Sequence, residues 1–144
     1  MKPLQIALSL LLLTILCPAQ NTPSIVIRFL DGKNGEPMRD KQVTIGLGKP
    51  GTITRDADSK GEIVLDIPNV EPRELRVRPD LYFDCRFKHD QMGPGGLELK
   101  YSLDEIISKG VVGDNLCGKV RVLPTPGVLT LYLRPRTFIE SWKL

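Results

Sequence analysis

Short segments in which apolar and polar residues alternate with a period of two recur along this chain, and they constrain its fold more than any other feature. Successive side chains of a β-strand point to opposite faces, so this period gives a strand one apolar and one wet face, whereas a helix needs about 3.6 residues per repeat. Ile25, Ile27 and Phe29 alternate with Val26, Arg28 and Leu30 until Asp31-Gly32-Lys33-Asn34-Gly35, a run that suits a tight turn. Val43, Ile45 and Leu47 alternate with Thr44 and Gly46 ahead of Gly48-Lys49-Pro50-Gly51. Thr52 to Arg55 reads as a short strand. Asp58-Ser59-Lys60-Gly61 reads as a turn into Glu62 to Ile67, where Ile63, Leu65 and Ile67 share a face. Leu75 and Val77 alternate with Arg76 and Arg78, and Tyr82 to Phe87 continues the series with Phe83, Cys85 and Phe87 on one side.

So many short strands broken by Gly, Pro, Asp and Asn predict a mainly β fold, an antiparallel Ig-like or prealbumin-like β-sandwich. One short helix is inserted before the last strands. Ser102-Leu103-Asp104-Glu105 has the form of a capping box, Leu103, Ile106 and Ile107 make an apolar stripe, and Gly110 suits the C-terminal stop. Asp90 to Gly96 reads as a flexible loop. Val120 to Leu123 is a further strand candidate. Gly127 to Arg134 is a strand apolar on both faces, with Leu129, Leu131 and Leu133 on one and Val128, Thr130 and Tyr132 on the other, which predicts a central position.

Ahead of these strands, Lys2 precedes an apolar stretch from Leu4 to Leu16 that is shorter than the ~20 residues a bilayer-spanning helix needs. Cys17-Pro18-Ala19 follows with small residues placed for cleavage after Ala19, the layout of a secretory signal over 1–19. Leu16 stands where a lipoprotein signal needs a small residue. The expected mature chain is 20–144, long enough for one hydrophobic core and read as a single domain. Within it, 88–118 is a helix-containing insertion and 137–144 a short tail. Cleavage leaves 19 basic against 17 acidic side chains, a balance of +2 that argues against nucleic acid as a partner. No second long apolar run follows, so no membrane span is expected after cleavage. Cys85 and Cys117 remain, and in an oxidising compartment two cysteines most simply pair; the rival, a metal site, has only His89 in support.

The first half resembles the carboxypeptidase regulatory-like and collagen-adhesin B-type domains, small prealbumin-like sandwiches of exported proteins. The resemblance rests on Ile25 to Asp31, then Asn34-Gly35-Glu36-Pro37-Met38, Val43-Thr44-Ile45, and Thr54 to Glu62, and it covers about residues 24–78. It implies the fold of those domains and little about function. Residues 80–126 depart from the pattern. Adhesin-type isopeptide chemistry needs a Lys on an early strand and an Asn on the last; Arg28 stands on the first strand here, and the last strand carries no Asn.

Candidate chemistry is sparse. Asp56-Ala57-Asp58-Ser59-Lys60-Gly61 begins like a calcium loop, but Lys60 occupies a ligand position and Ile67 stands where the closing Glu is required, so it reads as a solvated turn. No metal or other cofactor is expected. His89, between Lys88 and Asp90, lacks a nucleophile motif. Arg76 and Arg78 share a strand face, and Arg86 and Lys88 repeat that spacing, a basic strip suited to acidic glycans, lipid phosphates or a protein partner. Phe138 and Trp142 lie one helical turn apart in the tail, a docking handle. The leading expectation is an exported, secreted or periplasmic, non-enzymatic module that binds an envelope protein, a peptide or a glycan. A structural subunit docking through a strand edge or the tail is the alternative, and a small hydrolase using His89 ranks last. The sequence leaves the oligomeric state open.

Overall fold

The computed structural model describes residues 22–48, 51–69, 71–79, 82–86 and 99–135. The expected signal at 1–19, the 90–96 loop and the 137–144 tail fall outside them. Nine strands and one helix run in the order β1 (Ser24–Asp31), β2 (Gln42–Leu47), β3 (Thr52–Asp56), β4 (Glu62–Asp66), β5 (Glu74–Pro79), β6 (Tyr82–Asp84), β7 (Leu99–Ser102), α1 (Leu103–Lys109), β8 (Val111–Val112) and β9 (Val128–Pro135) among the described residues. They form two sheets, as the alternation predicts. Sheet A has the order β4-β1-β9-β6, with β8 also pairing β9; sheet B has the order β3-β2-β5-β7.

The period of two sets what faces inward. Ile25, Ile27 and Phe29 from β1, Ile63 and Leu65 from β4, and Leu129, Leu131 and Leu133 from β9 meet Val43 and Ile45 of β2 and Leu75 and Val77 of β5 in one buried cluster. Such side chains contribute about 1.5–3 kcal/mol each when fully withdrawn from water, the main term holding the sheets together. Leu103 and Ile106 of α1 join the same cluster. The helix starts as its capping residues require: Ser102 Oγ accepts from the Glu105 N–H at 3.3 Å. The Glu105 carboxylate pairs with Lys109 Nζ at 3.0 Å, one turn on.

β9 is central. One edge pairs with β1 and the other takes β8 and then β6. Its second face is covered as well, because the chain after β8 folds back over the outside of sheet A. There Leu30, Tyr132 and Cys85 pack with Val112, Cys117, Val120 and Val122.

Three details differ from the sequence reading. β9 runs parallel to β1 and β8 parallel to β9, so sheet A is mixed; the other ladders are antiparallel. Parallel neighbours need a long crossover, and almost the whole fold separates β1 from β9. Val120 to Leu123 forms no strand. The segment lies across the outside of sheet A, where the Tyr132 hydroxyl accepts from the Val122 N–H at 2.9 Å and Val120 O accepts from Asn115 Nδ2 at 3.1 Å. The segment expected as an insertion also supplies structure to both sheets: β7 extends sheet B, α1 crosses over, and β8 joins sheet A.

Candidate functional site

The outer face of sheet B carries a cluster of cations, placed by the same alternation that builds the core. On β5, Leu75 and Val77 are buried, so Arg76 and Arg78 project outward. Cross-strand register brings Gly46 of β2 opposite Arg76 and Thr44 opposite Arg78. On the other side Lys100 of β7 lies opposite Arg76. β3 extends the two rows with Thr52 beside Gly46 and Thr54 beside Thr44. The result is an outward-facing field of three cations and three hydroxyls spread over four strands.

The Arg76 guanidinium lies over Gly46 on this surface. Nη2 donates to Gly48 O at 3.3 Å, and the head lies across Gly46 so closely that a Cβ there would sit 2.9 Å from Nη2. A side chain at 46 would displace this flexible head, and Gly46 leaves it that berth. Lys100 Nζ is 3.5 Å from Glu74 Oε2, an exposed ion pair of little energetic weight. Arg76 and Lys100 are like charges directly opposite each other in the register, an arrangement that costs a sheet stability. Further along the edge, Arg73 Nε bonds Asp104 Oδ1 at 2.7 Å.

The structure separates Arg86 from this strip. Asp84 pairs with the inward-facing Leu133, and Arg86, two residues on, follows it inward. Arg86 Nε donates to Asp84 Oδ1 at 2.8 Å, Nη2 bonds Asp84 Oδ2, and the guanidinium sits 5.0 Å from the centroid of the Tyr101 ring. Both side chains are almost fully withdrawn from solvent. The pair spans from sheet A to the inner side of β7 and serves architecture. Lys88, His89, Phe138 and Trp142 lie outside the described residues.

Cys85 and Cys117 are joined in a disulfide with their Cα atoms 5.3 Å apart. The bridge fixes the end of β6 to the segment that covers sheet A. It is reinforced by the Leu116 N–H donating to Cys85 O at 2.7 Å and by Asn115 Nδ2 donating to Gly32 O at 2.7 Å. Asn115 is a buried polar residue that the sequence reading does not single out; its place between the cysteines, two residues before Cys117, is the available signal.

The calcium-like turn at Asp58 is closed by its own backbone. The carboxylate accepts from the Glu62 N–H at 2.9 Å and the Lys60 N–H at 2.8 Å, and these donors hold its pKa below the ordinary aspartate range. Its Oδ1 is thus engaged as an acceptor within the turn. No group of three or more His, Cys, Asp or Glu residues is arranged to hold a metal ion among the described residues. Also among them, no helix is long and apolar enough to cross a membrane. No family model matches the chain, and neither a curated protein nor a solved structure does.

Proposed function

We propose that this chain is an exported binding module whose working surface is the outer face of sheet B, and that its ligand is an acidic glycan. The observation that carries the reading is the placement of Arg76, Arg78 and Lys100 on adjacent strands of one outer face, with threonine hydroxyls beside them. Arginine offers a planar fork of donors that matches carboxylate and sulfate oxygens, and the Arg76 head lies over Gly46 with Nη2 donating to Gly48 O. The hydroxyls of Thr44, Thr52 and Thr54 supply neutral donors and acceptors for the sugar oxygens between the anionic groups. A rigid sheet presents these groups with little ordering left to lose on binding.

Export is supported by the Lys2 to Ala19 pattern and by a disulfide, a bond that persists in oxidising compartments. The resemblance to carboxypeptidase regulatory-like and collagen-adhesin B-type domains fits such a module. Its quoted segments fall on β1, on the Pro37 bridge to Leu30, on β2 and on the β3–β4 turn.

Retention on a sulfated or uronic-acid polysaccharide tests the reading. The wild type is expected to be retained and to elute with rising salt. Arg76→Glu/Arg78→Glu is expected to abolish retention while circular dichroism stays unchanged, and His89→Ala to bind as the wild type. Equal retention of the charge-reversed variant would refute the assignment of this face.

A further inference from the structure

The outer face of sheet B changes character from one side to the other. Cross-strand register sets Lys100, Arg76, Gly46 and Thr52 in one row across the four strands, and Arg78, Thr44 and Thr54 in the next. The three cations of these rows all belong to β5 and β7. Arg76 leans toward β2 with its head over Gly46, so the positive charge reaches as far as that residue. Beyond it stand the hydroxyls of Thr44, Thr52 and Thr54. β3 closes the field with Asp56, which lies opposite Gln42 on the same face as Thr54, and Thr52, Thr54 and Asp56 are all exposed.

A ligand laid across the strands therefore meets two chemistries in turn. Guanidinium and ammonium groups take carboxylate or sulfate oxygens, whereas a threonine hydroxyl both donates and accepts and so matches the neutral hydroxyls of a sugar ring. An anionic group over β3 would face the Asp56 carboxylate, a repulsion that a neutral ring does not meet. Neighbouring strands lie about 4.8 Å apart, close to the advance per ring of an extended pyranose chain, so successive sugars of a chain laid across the sheet stand over successive strands. A chain laid along β5 would touch Arg76 and Arg78 and leave the β3 threonines, two strands away, without a partner.

We infer that this face selects an oligosaccharide of mixed charge lying across the strands, its acidic sugar over β7 and β5 and the neutral sugars that follow over β2 and β3, an inference that rests on the glycan-binding role proposed above. Arg76, Arg78 and Lys100 are the anchor. Thr52 and Thr54 set specificity by bonding the neutral sugars, and Asp56 turns away a further acidic group at the far end.

Affinities measured by NMR titration with two probes test this: a disaccharide of one uronic acid and one neutral pentose, and the tetrasaccharide that extends it by two more neutral pentoses. The tetrasaccharide is expected to bind about tenfold more tightly, as one or two added hydrogen bonds would give. Thr52→Val/Thr54→Val, which keeps the β-branched shape and removes both hydroxyls, is expected to lose that gain and to bind the disaccharide as the wild type does. Thr52→Ser/Thr54→Ser is expected to keep the gain. Asp56→Asn is expected to raise affinity for a tetramer of uronic acids alone and to leave the mixed tetrasaccharide unchanged. Equal affinity of the wild type for the two probes, a valine variant that keeps the gain, or an Asp56→Asn protein that binds the all-acidic tetramer no better would overturn the inference while leaving the face as the anion-binding surface. Binding of neither probe, or binding that survives Arg76→Glu/Arg78→Glu, would overturn both.

Discussion

Removing the Arg86 guanidinium leaves the Asp84 carboxylate buried without its counter-ion, a change that costs about 3–5 kcal/mol in comparable sites. Arg86→Met is therefore expected to lower the urea midpoint sharply, and Asp84→Asn combined with Arg86→Met to recover much of that loss; additive losses would contradict the pairing. Asp58 gives a prediction in pH. Backbone donors depress its folded pKa, so its contribution is complete above the unfolded value of about 3.9 and is lost as pH falls through the lower folded value. The substitution Asp58→Asn keeps an acceptor oxygen at this turn but removes the charge. The wild type's advantage over that variant in urea midpoint is expected at neutral pH and to fade on acidification through that window; a constant gap would count against it. Gly61 is held at φ 71°, where a Cβ would meet Phe29 O at 2.8 Å, so Gly61→Ala is expected to destabilise by more than the ~1 kcal/mol of an ordinary glycine effect, read by thermal melting.

Among the elements, those with a sustained period of two were legible in the sequence: β1, β2, β4, β5 and β9 stand where Ile25 to Leu133 alternate. β7 and β8 were not. Leu99–Ser102 and Val111–Val112 are too short to establish a period, and what makes them strands is the neighbour each finds, β5 and β9. Val120 to Leu123 has strand composition yet serves as a cover, since the outside of sheet A around Tyr132 needs apolar partners. The same cover explains why Arg86 does not join the basic strip. Phe83, Cys85 and Phe87 suggest that the residues between them face water, but Cys85 faces the covering segment and Arg86 faces inward. Reduction of the Cys85–Cys117 bridge, whose partners are 32 residues apart, is expected to cost about 3–4 kcal/mol on a chain-entropy estimate and to appear as a lower urea midpoint.

For the molecule as a whole, the two faces of sheet B divide the work. The inner face holds the sandwich together through Val43, Ile45, Leu75 and Val77, and the outer face is left for Arg76, Arg78 and Lys100. Arg76 and Arg78 were legible as a same-face pair from their spacing alone. Lys100 and the Gly46 berth were not, because cross-strand register depends on which strands become neighbours and not on distance along the chain. Amide chemical-shift mapping during titration with an anionic oligosaccharide reads the binding face directly. Perturbations are expected to concentrate on β2, β5 and β7 around Gly46, Arg76, Arg78 and Lys100, to be suppressed by salt and to be absent in Arg76→Glu/Arg78→Glu. Shifts centred on another surface, or none at all, would contradict the assignment of that face.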